Sequence, residues 1–135
     1  MRIVADTNIL FSFFWKSSLT RRLILSSKFE IISPEIALNE LEKYKELIVN
    51  KAKITKDNFN NLLKELKNKI EFIQKDSYIS FIKEAINISP DKADTEFFAL
   101  CIKNRCMLWS NDSLLKNQNK IKVLSTRDII EILFD

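Results

Sequence analysis

Short apolar runs rich in β-branched residues alternate with longer stretches of helical spacing, and this alternation limits the fold more than any other feature. The runs are Arg2-Ile3-Val4-Ala5, Phe29-Glu30-Ile31-Ile32, Ile70-Glu71-Phe72-Ile73, Cys106-Met107-Leu108-Trp109 and Ile121-Lys122-Val123-Leu124. Between them, helices are predicted from Asp6-Thr7-Asn8 through Phe14, over 17–27, from Ser33-Pro34 to about Asn50, after the cap Thr55, over 77–87, and from Ser89-Pro90-Asp91 to about Asn104. A last helix follows Ser125-Thr126-Arg127-Asp128. Ser33 reads as an N-cap with Pro34 at the first helical position. Strands separated by helices form a parallel sheet covered on both faces, so the expected fold is a three-layer α/β/α domain with five parallel strands, spanning 1–135. In such sheets the site lies beyond the carboxyl ends of the strands, where strand order reverses.

Two absences restrict the chemistry. With no Gly among the 135 residues, a P-loop or dinucleotide fingerprint is excluded. With no His, a Ser-His-Asp triad and most zinc sites are excluded. Asp and Glu number 18, so carboxylates are the first place to look for catalysis. The net charge of +4 fits a nucleic-acid partner and a solvated Lys-rich surface equally well. Cys101 and Cys106 have apolar neighbours and read as free thiols in a reducing compartment. The start, MRIVADTNIL, is neither a signal peptide nor a membrane span, so a cytoplasmic protein without membrane association is expected.

Four acids stand out. Asp6 and Asp112 each follow a predicted strand, where Asp serves as an N-cap or as a group facing a cleft. On the helix beginning at Pro34, Ile36, Ala37, Tyr44 and Leu47 lie within about 60° of Glu40 on the helical wheel. A carboxylate in that apolar stripe needs a partner, either a Lys or Arg at its edge or a metal. Asp94 shares a helical face with Phe97, Phe98 and Cys101, with helix-dipole stabilisation as the plain alternative. Asp91, one turn earlier, is a possible additional acid or a cap, and Glu96 is expected to face solvent.

Carboxylates converging on one cleft would repel and take up protons unless a cation compensates them. Mg²⁺ or Mn²⁺, as one or two ions, suits an all-oxygen donor set and can activate water for phosphodiester hydrolysis without a His base. Thr7, Asn8 and Ser110 could orient the acids, or simply serve in caps and turns.

The sequence resembles the PIN-domain family, which includes metal-dependent ribonucleases and the VapC-type toxins. The resemblance rests on Ile3-Val4-Ala5-Asp6-Thr7-Asn8, Ser33-Pro34 with Glu40-Leu41, Asp91-Lys92-Ala93-Asp94 with Phe97-Phe98-Ala99-Leu100, and Leu108-Trp109-Ser110-Asn111-Asp112. These pieces follow the family's order over almost the whole chain. Ser110 stands where the family often has Thr, and Asn104-Arg105 fills a turn where many relatives have Gly. The resemblance implies a catalytic, metal-holding site of Asp6, Glu40, Asp94 and Asp112, cleavage of single-stranded or structured RNA, frequent homodimerisation and, for a toxin, an antitoxin partner.

Arg2, Lys16, Arg21, Arg22 and Lys116 are candidates for attracting phosphates. Trp15, Phe11 or Trp109 could stack bases, though core or dimer packing explains them as well. The competing reading is a binding module without catalysis, in which the same acids cap helices and pair with cations. A phosphatase or receiver with Asp6 as phospho-acceptor fits less well, because Asn8 stands where a second Asp would be needed.

Overall fold

A computed structural model describes residues 1–26 and 28–134. Its five strands are β1 (Arg2–Ala5), β2 (Glu30–Pro34), β3 (Ile70–Ile73), β4 (Met107–Trp109) and β5 (Val123–Leu124). They form one sheet in the order β3-β2-β1-β4-β5, with every neighbouring pair parallel. The helices are α1 (Thr7–Ser12), α2 (Leu19–Ser26), α3 (Glu35–Lys43), α4 (Lys45–Ala52), α5 (Lys56–Lys69), α6 (Ile82–Ile88), α7 (Thr95–Asn104) and α8 (Thr126–Phe134). This is the three-layer α/β/α architecture that the alternation predicts.

Strand order reverses between β1 and β4, which pair in register as Val4 with Leu108 and Ala5 with Trp109. The chain therefore leaves both strands at neighbouring points on the same edge, through Asp6 and through Ser110 to Asp112. Strands β1 and β4 are central, so they are covered on both faces and carry almost continuous apolar sequence. Helix α7 packs across β1, β2 and β4 with α6 against it. Its run from Phe97 to Cys101 is buried throughout, as expected of a helix apolar on all sides. Helix α5 adds Phe59 and Leu66 to the core, and the Phe59 ring stacks on Phe14 at 4.8 Å. Trp109 is also core, its indole N–H donating to Thr126 Oγ1 at 3.1 Å.

Several local expectations change. Strand β2 runs on through Ser33 and Pro34, which pair with Phe72 and Ile73 of β3. Ser33 is thus no helix cap: its buried hydroxyl donates to the Ala5 carbonyl at 2.8 Å. Pro34 takes the cap position of α3 in extended conformation, without a side-chain cap bond. The helix predicted to reach Asn50 breaks at Tyr44 (φ −98°, ψ 20°), so Leu47 belongs to a separate helix from Glu40. Of the stripe read around Glu40, only Ala37 is consequently core. Ala37 and Leu41 are buried, whereas Ile36 and Tyr44 are each 38% exposed and Leu47 is 47% exposed.

The segment 77–87 opens as two 3-10 turns, Lys75–Ser77 and Ile79–Phe81, around the buried ring of Tyr78 before α6 begins. Asp91 caps a 3-10 turn, Lys92–Asp94, and α7 starts only at Thr95. The second helix starts at Leu19, where Ser18 Oγ accepts from the Arg21 N–H, and its expected end at Ser27 lies outside the described residues. A chain without glycine must close helices with other residues. Lys53 and Arg105 do so in the left-handed region (φ 56° and 50°), at about 1–2 kcal/mol each. No helix among the described residues is long and apolar enough to cross a membrane.

Candidate active site

The carboxyl edge of β1 hands the chain to α1 through Asp6. Its carboxylate accepts from the Ile9 N–H at 2.9 Å through one oxygen, Oδ1. Asp6 is only 4% exposed, and the buried Ser110 hydroxyl, at the end of β4, hydrogen-bonds to it. Ser110 Oγ also accepts from the Asp112 N–H at 3.1 Å, so one hydroxyl ties together the two strand-end acids. Burial pushes the Asp6 carboxyl above its ordinary range; the hydrogen bonds from Ser110 and Ile9 oppose this, and the charge of Asp112 adds to it.

Asp6, Thr7, Asn8, Phe11, Glu40, Ala93, Asp94 and Phe97 line one hollow of about 160 Å³. Three elements thus converge: the start of α1, the middle of α3 and the turn before α7. Asp94 occupies the cap position of α7, yet its side chain makes no cap bond, contrary to a place on the helical face. Its carboxyl is pushed up to about 6, first by burial and then by the charges of Asp6, Asp91, Asp112 and Glu40. Glu40 is raised by burial, which Lys43 offsets and the charge of Glu96 reinforces.

Among the described residues, ion pairs join Arg2 to Glu30, Lys116 to Asp128 and Arg127 to Glu131. Asp6, Glu40, Asp94 and Asp112 take part in none of them. This separates the site from a set of neutralised structural acids. The donor set is all oxygen, and among the described residues Lys43 partly offsets Glu40 while no cation pairs with Asp6 or Asp94, so its chemistry fits a hard divalent ion. Among the described residues, however, no three acids already close into an ion cage. Asp112 and Asp91 are exposed and are not among the residues that line the hollow, although their charges reach Asp94; each has one oxygen capping a turn through the N–H of Leu114 and Ala93, respectively.

The basic candidates separate by position. Arg2 is at the amino end of β1, far from the acids, and its guanidinium bonds Glu30 and Asn104. Arg21 donates to the Phe13 carbonyl and lies over the Phe13 ring, closing the end of α1. It shares a second hollow with the exposed Lys16, away from the acids. Arg22 is exposed on α2, and Lys116 pairs with Asp128 at 3.5 Å.

Glu96 was expected in solvent but is half-buried, and the Tyr78 hydroxyl donates to it at 2.6 Å. Its charge reaches Glu40, making it an acid of the site's surroundings that spacing alone did not reveal. Its position two residues after Asp94 was the available signal. Phe11 also lines the hollow, with its ring edge-on to Tyr44 at 6.3 Å.

A parallel sheet with unneutralised carboxylates at its reversal point defines a class of acidic-site α/β proteins. Within it, the chain belongs to the PIN-domain family, whose family model, described as PIN domain, matches residues 4–131. It is similar in fold to a chain in the crystal structure of VapBC2 from Rickettsia felis bound to a DNA fragment from their promoter. The TM-score is 0.64 at 20% identity, over 93% of this chain and 98% of that one. No curated protein sequence matches the chain.

Proposed function

We propose that this protein is a divalent-metal-dependent endoribonuclease, acting in the cytoplasm as the toxin of a toxin–antitoxin pair. The observation that carries the reading is Asp94, a carboxyl without a cationic partner among the described residues that shares a small hollow with Asp6 and Glu40. Asp6, Glu40 and Asp94 would hold Mg²⁺ or Mn²⁺, with Asp112 outside the hollow but near enough for its charge to act on Asp6 and Asp94. When bound, the metal supplies a water acidic enough to attack near neutral pH and offsets charge on the phosphate. Ser110 fixes the Asp6 carboxylate through its hydroxyl, and the Ile9 N–H holds one oxygen in place. Thr7 and Asn8 border the hollow, where their side chains can orient a phosphate or water. Among the described residues Lys16 and Arg22 are exposed and in no ion pair. They are more available to a phosphate backbone than Arg2, held by Glu30, or Arg21, held by the Phe13 carbonyl, although Lys16 lies in a hollow away from the acids.

The VapBC2 assembly supports an antitoxin partner. The exposed Ile36, Tyr44 and Leu47 beside Glu40 offer apolar surface for such a partner or for a second copy of the chain. The test is titration of the protein with Mn²⁺, followed by melting temperature and by cleavage of single-stranded RNA. Stabilisation and cleavage should both be lost in Asp94→Asn and Asp6→Asn; full cleavage by either purified variant would overturn the reading.

A binding module without catalysis is the second reading. The caps made by Asp6, Asp91 and Asp112, and the absence of a closed three-acid cage among the described residues, favour it. No thermal shift at millimolar Mn²⁺ would select it.

A further inference from the structure

The two cysteines meet at the far end of α7 from Asp94. The helix ends with Arg105 in the left-handed region, its N–H donating to the Ile102 carbonyl at 3.3 Å. The next N–H, of Cys106, reaches back to the Cys101 carbonyl at 3.1 Å. These two bonds form a Schellman ending, a motif that brings the side chains on either side of the longer bond into contact. Those side chains are Cys101 and Cys106, whose thiols lie near enough to shift each other's acidity. Both border a surface hollow of about 410 Å³ that Arg105, Met107, Glu84 and Lys122 help to line. Cys101 is buried, while Cys106 is partly open to solvent.

We propose that Cys106 and Cys101 form a peroxide-oxidisable dithiol, with Cys106 attacking the oxidant and Cys101 resolving the product into an intramolecular disulfide. The surroundings divide the roles. Interaction with Cys101 holds the Cys106 thiol below its ordinary range against burial, helped by the Arg2 guanidinium and the Val4 backbone. Burial keeps Cys101 protonated. Arg2 is fixed over this corner by Glu30 at 2.9 Å and Asn104 at 2.8 Å. A thiolate beside a cation and open to solvent is the species that attacks hydroperoxides selectively.

The Cys106 sulfur attacks one peroxide oxygen and the O–O bond breaks. This leaves a sulfenic acid on Cys106, and the departing oxygen takes a proton to become water or an alcohol. The Cys101 sulfur then attacks the Cys106 sulfur, the S–S bond forms and the S–O bond breaks. The hydroxyl leaves as water with the Cys101 proton. Two electrons pass from the sulfurs to the peroxide.

The experiment exposes the native full-length protein to hydrogen peroxide and follows free thiols, intact mass and peptide maps. Both thiols should be lost together, the mass should fall by two hydrogen atoms, and one peptide should carry the Cys101–Cys106 link. Cys101→Ser should stop at a sulfenic acid on Cys106 that a cyclic dione traps. Cys106→Ser should leave Cys101 reduced. Added oxygen without an S–S bond, a disulfide between two chains, or thiols inert until the protein is unfolded would each overturn the proposal. The readout is thiol chemistry, so it is independent of any nuclease activity.

Discussion

Asp94→Asn should stabilise the metal-free protein while abolishing its response to metal. The Asp94 carboxyl lies at about 6 in the folded protein, against 3.8 without these surroundings. The folded state therefore holds a proton that the unfolded state has lost between these two values. Stability from Asp94 is present in full below about 3.8 and is lost as pH rises through about 6. At pH 7 the charged carboxylate opposes folding by about 3 kcal/mol if taken at face value. Half-burial and solvent screening reduce this to about 1–2 kcal/mol. Asparagine is neutral and of the same size, so it should recover that amount, roughly 3–7 °C in melting temperature for a domain of this length.

Scanning calorimetry in chelator at pH 7 and again near pH 4 provides the assay. The variant should melt higher at pH 7, and the gap should close on acidification. In Mn²⁺ the order should reverse, because ligand binding stabilises only the protein that retains its carboxylate. A variant equal to or less stable than the parent at pH 7 in chelator would refute the claim that these acids crowd one another.

Asp6→Asn keeps an oxygen for the Ile9 N–H, so its far-ultraviolet circular dichroism should match the parent. RNA cleavage should nevertheless fall by more than the roughly 10–100-fold typical of groups that only orient a metal ligand. Ser33→Ala leaves the buried Ala5 carbonyl without its hydroxyl donor, and urea denaturation should show a loss of about 1–3 kcal/mol. Lys53→Gly removes a left-handed side chain at the end of α4, and the same assay should show a gain of about 0.5–1 kcal/mol once glycine's extra chain entropy is subtracted.

Much of the fold and some of the site are written in local spacing. The apolar runs at Ile3, Ile31 and Leu108 mark strands because a central parallel strand must be apolar on both faces, and the runs at Ile70 and Val123 supply the two edge strands. Asp6, Thr55 and Asp112 announce helix or turn starts because an oxygen there satisfies a free backbone N–H. Spacing within one segment cannot say what lies beside that segment. Ser33 looked like a cap and proved to be a strand residue, since its real partner, the Ala5 carbonyl, is on another strand. Glu40 borders the hollow, but of the stripe read around it only Ala37 is buried, because α3 meets its neighbours along Ala37 and Leu41. Arg2 and Arg21 were indistinguishable from cleft residues until the packing engaged them elsewhere.

Residue types and their periods thus determined the alternating architecture and the supply of strand-end acids. Only the tertiary structure decided that β1 lies beside β4, and so that Asp6 meets Ser110 and Asp94 feels four other carboxylates. The reason is physical. Helix and strand periods arise from bonds a few residues apart, whereas the charge on a carboxyl depends on groups that long crossovers bring next to it.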